Sequence, residues 1–559
     1  MRDDLLLYYE RELTWLRQMG AEFAQKYPKV ASRLLLESDK CEDPHVERLL
    51  EAFAFLAARV HLKIDDEFPE ISESLLSVIY PSYIRPIPSM SIVEFQFDVT
   101  QGKLTTGMHI ERGSTLYSRP VAGVPCKFRT CYDTTIWPID VVAAEWKSPD
   151  RLRPAIAASD AVAAIRLELK CGPDVLLPAL DMNELQFYLS GEGVVTQKIY
   201  ELLCSRLRRV IVRDPTPNTK APAVTLSAAA LRPMGFREDE QILPHSRRSF
   251  IGYSILQEYF AFAEKFLFFR LGGLRDVWAA GFQDRAEIIF LLGRFEGEER
   301  RELLESAVTS RTFRLACTPV VNLFQQPTEP VLLDQKRYEY PVVPDVRRPG
   351  ALEIYSIDQV TGVNVQTQEV IEFQPFYSFH RGISARPKAF WVAVRRPSNR
   401  PGDEGTDMYI SLFDLSMRPV FPDSDTLTIR ATCTNRDLPS RLPFGNEDGD
   451  FELENNGPIE RIVSITKPTK PLRPPAGKGI HWRLISHLSL NYLSLVSEGK
   501  EALQEILKLY DFTDSLYARK MIEGITRIDS SPHFARLVSE NGISFARGTR
   551  VEIEFDESQ

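Results

Sequence analysis

Catalytic spacing is missing from this chain of 559 residues, and histidine is scarce. Its eight histidines are His45, His61, His109, His245, His380, His481, His487 and His533. None falls in an HExxH pair or beside a GxSxG elbow, which argues against a zinc peptidase or an α/β-hydrolase. No GxGxxG, P-loop, kinase or zinc-deaminase signature is present either. The seven cysteines are Cys41, Cys126, Cys131, Cys171, Cys204, Cys317 and Cys433, an odd number with no CxxC spacing. They read as unpaired thiols. Cys126 and Cys131 are nearest to each other, but CKFRTC lacks the second ligand pair that a zinc site needs. Positive charge is not in excess: 68 Lys and Arg face 77 Asp and Glu, a net charge of -9. That disfavours broad affinity for nucleic acid or for an anionic membrane, both of which attract a dense cationic footprint. No uncharged run is long enough to span a bilayer. The opening MRDDLLLYYERE meets charges too early for a signal peptide, so the chain is expected to stay in the cytosol.

What is present is patterned apolar sequence. Hydrophobic residues make up 43% and charged residues 26%, a globular balance. The length predicts about three or four domains. A helix is expected over residues 4–26, with Leu6, Tyr9, Leu13, Leu16, Gly20 and Phe23 on one stripe. Trp15 and Met19 widen that face, and Pro28 should stop the helix. Two readings stand for the stripe: internal packing, or a seam for another chain. A second helix begins at Pro44, capped by Asp43. Leu49, Phe53, Leu56, Val60 and Ile64 form one face of it. Ala52, Ala54, Ala57 and Ala58 keep parts of its surface slim enough for close helix approach. Asp65, Asp66 and Glu67 splay around a helix axis and read as a solvated end, not as metal ligands. Leu75, Leu76, Ile79 and Tyr80 predict a further short helix. Pro81, Pro86 and Pro88 then make a stiff exit.

The period changes after this exit. Val93, Phe95, Phe97 and Val99 alternate with polar residues, as in a half-buried strand. Further strands are expected around Ile165–Leu169, Leu185–Leu189, 208–214, 288–292, 352–362, 390–394, 408–413, 426–433 and 551–555. Helical patterns fall at 194–207, 484–495 and 502–510. Residues 252–273 pass from helix to strand. Arginines cluster at Arg206, Arg208, Arg209 and Arg213, and at Arg395, Arg396 and Arg400. They interleave with predicted strands and are expected to face the protein's own carboxylates, with no nucleic-acid recognition framework around them. Lys470, Arg473 and Lys478 sit in a Pro/Gly-rich turn. The fold class is α+β and multidomain: an N-terminal helical bundle segment, then mixed, β-rich modules with interspersed helices. The expected division is 1–88, a helical assembly region with a proline-rich connector, then 89–345 and 346–559, two β-rich α+β regions.

Three ordered segments carry a family resemblance. A YYxxEL-type start at residues 8–13 precedes DPHVERLLEAFAFLAARV at 43–60 and DDEFPEISESLLSVIYPSYIRPIPS at 65–89. A middle pattern, LPxSxRSFxGYxxLQEYFxFxEKFLFF, spans 243–269, with Ala263 where the family favours proline. HWRLISHLSLNYLSL follows at 481–495. Together they resemble TssF, a baseplate subunit of type VI secretion systems. The resemblance implies a structural, non-enzymatic wedge subunit with no cofactor or metal. It implies partners: a TssG-like subunit, a second copy of the chain, TssE-like and TssK-like proteins, and spike and sheath contacts. It implies no nucleic acid and no direct membrane insertion, with recruitment to the cytoplasmic face of the inner membrane. The candidate assembly or packing residues are Leu6, Tyr9, Leu13, Leu16, Phe23, Leu49, Phe53, Leu56, Val60 and Ile64. A phage-tail wedge protein and a generic intracellular scaffold are the alternatives. An unrecognised hydrolase is the alternative of a different class.

Overall fold

The computed structural model describes residues 3–31, 43–65, 69–97, 106–216, 219, 221–245, 249–295, 301–334, 336–363, 370–376, 390–413, 426–454, 459–474, 480–489, 499–513, 515–539 and 542–556. It is an α+β structure divided into two compact units. One unit gathers Met1–Ile84, Pro474–Tyr510 and Asp514–Gln559. The other comprises Arg85–Arg473 and Asp511–Thr513.

In the first unit, the helix Asp3–Lys26 ends just before Pro28, which opens a single further turn, Pro28–Ala31. The helix Pro44–Asp65 starts where its cap predicts: the Asp43 carboxylate accepts the His45 backbone N–H at 2.8 Å. The helix Pro69–Ile79 packs against Ile480–Ser489, with Leu76 and Leu484 fully buried. Past Pro81, Tyr83 donates to the Leu509 carbonyl at 2.6 Å and meets the Tyr510 ring edge-on. Helix Gly499–Tyr510 rests on helix Leu516–Glu523 and on the base of a terminal hairpin, Ile525–Ser539 with Gly542–Phe555.

In the second unit, six strands close a barrel, in the order Met90–Phe97, Cys317–Val321, Val124–Thr130, Thr115–Val121, Phe451–Leu453 and Ile459–Ser464. Met90–Phe97 is more buried than its alternation predicts. Val93 and Phe95 face the barrel core with Leu116, Phe128 and Phe451, while Met90 and Ile92 join a separate cluster with Tyr188 and Phe268. A five-stranded antiparallel sheet places Arg285–Leu292 between Leu207–Arg213 and Ala163–Cys171. Its unbroken apolar run follows from cover on both faces. Ile288 and Phe290 enter the main core, and Ile289 and Leu291 pack with Leu152 and Ala164 on the other side. A four-stranded sheet pairs Phe268–Leu271 with Leu185–Leu189. An eight-stranded sheet is built around Glu353–Val363 and Thr426–Thr434.

The 243–269 pattern has a structural cause. Helix Ile251–Ala261 carries Glu258 into the interior, where one carboxylate oxygen accepts the backbone N–H groups of Ile242 and Leu243 at 2.9 and 2.8 Å. Its other oxygen pairs with Lys265, and both side chains are fully buried. Lys265 also donates to the Glu240 carbonyl at 3.3 Å. Glu240 in turn takes Arg232 at 2.7 Å and the Gly235 N–H at 2.8 Å. Burial alone would raise the Glu240 carboxyl, but Arg232 and the backbone donors hold it below its ordinary value. Gly235 sits at φ +99°, and a Cβ there would lie 3.0 Å from the Phe266 ring.

Two outcomes are expected. Lys265→Met strands the Glu258 charge and should cost about 3–5 kcal/mol in urea unfolding, unlike substitutions of exposed lysines. His481 lies against Ser72 Oγ at 3.4 Å, and burial holds its imidazole below the ordinary 6.5. The unfolded imidazole therefore binds its proton first as pH falls, so stability present at pH 7 is lost below about 6.5. A series of urea midpoints from pH 7.5 to 5 should show this loss, and His481→Gln should flatten it.

Candidate assembly surface

The first two helices run antiparallel, since Arg17 pairs with Glu47 while the Tyr9 ring meets Phe55 edge-on at 6.4 Å. Glu12 holds His61 at 3.0 Å. The seam between them is made by small side chains. Ala54 and Ala58 are fully buried, and Ala57 is half-buried. Alanines four residues apart stack on one helix face and let two backbones approach.

That seam turns the large residues of the second helix outward. Leu49, Phe53, Leu56 and Val60 are 71, 60, 56 and 56% exposed. Their spacing of four, three and four residues keeps them on one stripe, on the side away from Ala54 and Ala58. The side chain of Ile64 lies outside the described residues. On the first helix, Tyr9, Leu13 and Leu16 are half-buried, while Leu6 and Phe23 are exposed. Trp15 is exposed as well and adds an indole to the open surface. The candidates whose side chains are described fall in two kinds of surroundings. Some border the helix pair, and the second-helix set faces out.

Most members of the other constellations pair internally, while Arg206 and Arg208 lie exposed. Arg213 binds the buried Glu287 at 2.6 Å, and Arg209 binds Asp160 at 2.9 Å. Arg395 donates to the Ile354 and Tyr355 carbonyls at 2.7 and 2.8 Å, Arg396 reaches Glu339 at 2.8 Å, and Arg400 reaches Asp407 at 3.0 Å. Arg473 bridges Glu353 and Asp437, both at 2.9 Å, and Lys470 reaches Glu404 at 2.7 Å. Lys478 lies outside the described residues. Cys126 and Cys131 are buried free thiols, which burial pushes up to about 11 and about 12. Such thiols stay protonated and make poor metal ligands. Cys41, Asp66 and Glu67 lie outside the described residues. Among the described residues no group of three His, Cys, Asp or Glu is arranged to hold a metal ion.

A family model, "Type VI secretion system, TssF", matches residues 1–559. The chain belongs to the TssF family. It is 35% identical to the type VI secretion system component TssF1 of Pseudomonas aeruginosa PAO1, with 100% of this chain and 91% of that one covered. It is similar to a chain in a cryo-electron-microscopy structure of a TssK–TssF–TssG baseplate subcomplex, at 27% identity and a TM-score of 0.70, covering 91% of this chain and 90% of that chain. A chain of another type VI baseplate complex matches at 26% identity and a TM-score of 0.58, over 96% of this chain and 88% of that chain. As a TssF family member, the chain is a structural component of the secretion baseplate and not an enzyme.

Sequence reasoning located the TssF stripe on the second helix but not its direction. It made no assignment for the first strand of the terminal hairpin, Ile525–Ser539, where two serines and Pro532 interrupt the apolar alternation. The even-numbered alternation of Ile528 and Phe534 was the available signal.

The alanine seam makes a direct prediction. Ala54→Leu has no room between the helices and should cost about 1–3 kcal/mol by overpacking. Hydrogen exchange should accelerate in the helix pair and stay unchanged in the barrel strands.

Proposed function

We propose that the chain docks other baseplate wedge subunits through the outward stripe Leu49, Phe53, Leu56 and Val60, with the exposed Leu6, Trp15 and Phe23 of the first helix offering a separate apolar contact. The observation that carries this reading is the exposure of four large apolar side chains on one helical line. A stripe of this kind is costly in water and marks an interaction site on a soluble surface. TssG-like and TssK-like proteins are the first partners, because the similar solved chain sits in a TssK–TssF–TssG subcomplex. A second copy of the chain, a TssE-like subunit, and spike and sheath contacts complete the wedge in this reading. The site of action is the cytoplasmic face of the inner membrane, reached through the assembly. No described helix is long and apolar enough to cross a membrane. Tyr9, Leu13 and Leu16 serve the helix pair itself.

The double variant Phe53→Asp/Leu56→Asp tests this reading. Both side chains are exposed, so urea unfolding of the free chain should change by no more than about 0.5 kcal/mol per site. Complex formation with the co-expressed TssG-like and TssK-like partners should weaken at least tenfold by native mass measurement. Unchanged stoichiometry and affinity would assign the stripe no part in docking.

A further inference from the structure

The terminal hairpin pairs Ile525–Ser539 with Gly542–Phe555 and joins no other strand among the described residues. It is fixed at its base, where Ile525 is buried, Gln504 reaches the Ile522 and Ile525 carbonyls, and the Asp556 N–H meets the Gly524 carbonyl. Beyond the base, the described residues are exposed or half-exposed. Strands of 15 and 14 residues extend about 50 Å. A lone two-stranded hairpin of that length is marginal in water.

Its register sorts the side chains by chemistry. Directly opposed residues share a face. One face carries the pairs Ile528–Ile553, Ser530–Val551, Pro532–Thr549, Phe534–Arg547 and Arg536–Phe545. The other carries Asp529–Glu552, Ser531–Arg550, His533–Gly548 and Ala535–Ala546. The first face is apolar and open, with Phe534 and Phe545 65 and 73% exposed.

The arginines differ between the faces. On the polar face, Arg527 pairs with Asp529 at 2.8 Å and Arg550 with Glu552 at 3.0 Å. On the apolar face, Arg536 and Arg547 stand opposite phenylalanines, with no carboxylate on that face and no ion-pair partner among the described residues. Two uncompensated cations beside two open rings define what fits: apolar contact together with negative charge. A second copy of the strip would bring like charges together. An anionic bilayer recruits clusters of about four to eight basic residues, and this face has two.

We propose that this face is a docking strip for an acidic, apolar-faced segment of another wedge protein. One face measures about 50 by 10 Å, roughly 500 Å², against about 800 Å² per side in stable complexes. The strip is thus one contact of a wider interface. The inference lies on a different surface from the helix stripe, but its pool of partners rests on the wedge reading.

Hydrogen exchange on the full chain, free and co-assembled with its TssG-like and TssK-like partners, tests it. Exchange over residues 526–536 and 544–555 should slow at least tenfold on assembly. Arg536→Glu/Arg547→Glu should abolish that slowing and weaken the complex about tenfold, while Ser531→Ala on the polar face leaves both unchanged. A complex that forms with unchanged exchange in the hairpin overturns the strip and leaves the wedge reading standing. No complex at all counts against both. Slowing produced by raising the concentration of the free chain, or by phosphatidylglycerol vesicles, also overturns it by assigning the strip to a second copy or to a membrane.

Discussion

A buried carboxylate must have its lone pairs met, and that constraint organises the larger unit of this protein. Glu258 is satisfied by two backbone amides and Lys265. Glu287 is gripped by Arg166 and Arg213, and Glu353 by Arg473 and the Thr406 N–H. Each group ties segments distant in sequence to one point, because leaving any member unpaired in the interior carries a large desolvation penalty. The same requirement takes up several arginines of the arginine-rich stretches, since Arg213, Arg395 and Arg473 are spent in fixing sheets and loops.

The smaller unit follows a different rule. Its helices are too few to cover both of their faces. Alanine on one side of the second helix allows the first helix to close against it, and the larger apolar residues are left for something else. Most of the exposed large hydrophobic side chains among the described residues fall in this unit: on the helix pair, on the helix Leu516–Glu523 and on the terminal hairpin. The closed barrel and the sheets of the other unit keep most of theirs inside.

Much of this was legible in the residue pattern. A three-and-four spacing marks Leu49 to Val60 as helical whatever surrounds it, and Asp43 with Pro44 marks the start. Alternation at Ile165, Leu167 and Leu169 marks a strand. Direction was harder. Ala54 and Leu56 are both apolar, and periodicity alone does not say which side meets the neighbouring helix. Side-chain volume decides it, since only the alanine face permits close approach. Barrel closure was not legible, because Met90–Phe97 pairs with Ile459–Ser464 from far along the chain. Residues 528–533 hid a strand behind Pro532 and two serines, since a solvent-exposed hairpin needs no apolar residue at most positions.

Magnitudes limit what any one surface can do. Fully burying a Leu, Val or Phe side chain gains about 1.5–3 kcal/mol, and the stripe residues are already partly covered, so each adds about 1 kcal/mol. Four such residues give roughly 4 kcal/mol, at the lower end of the roughly 4–15 kcal/mol that association costs in lost freedom. The helix stripe alone is therefore too weak to hold a durable complex. Once a first surface has docked, a second one binds at high effective concentration, and the two together outlast either alone. A platform subunit built this way associates reversibly while only one surface is engaged and becomes long-lived when several are.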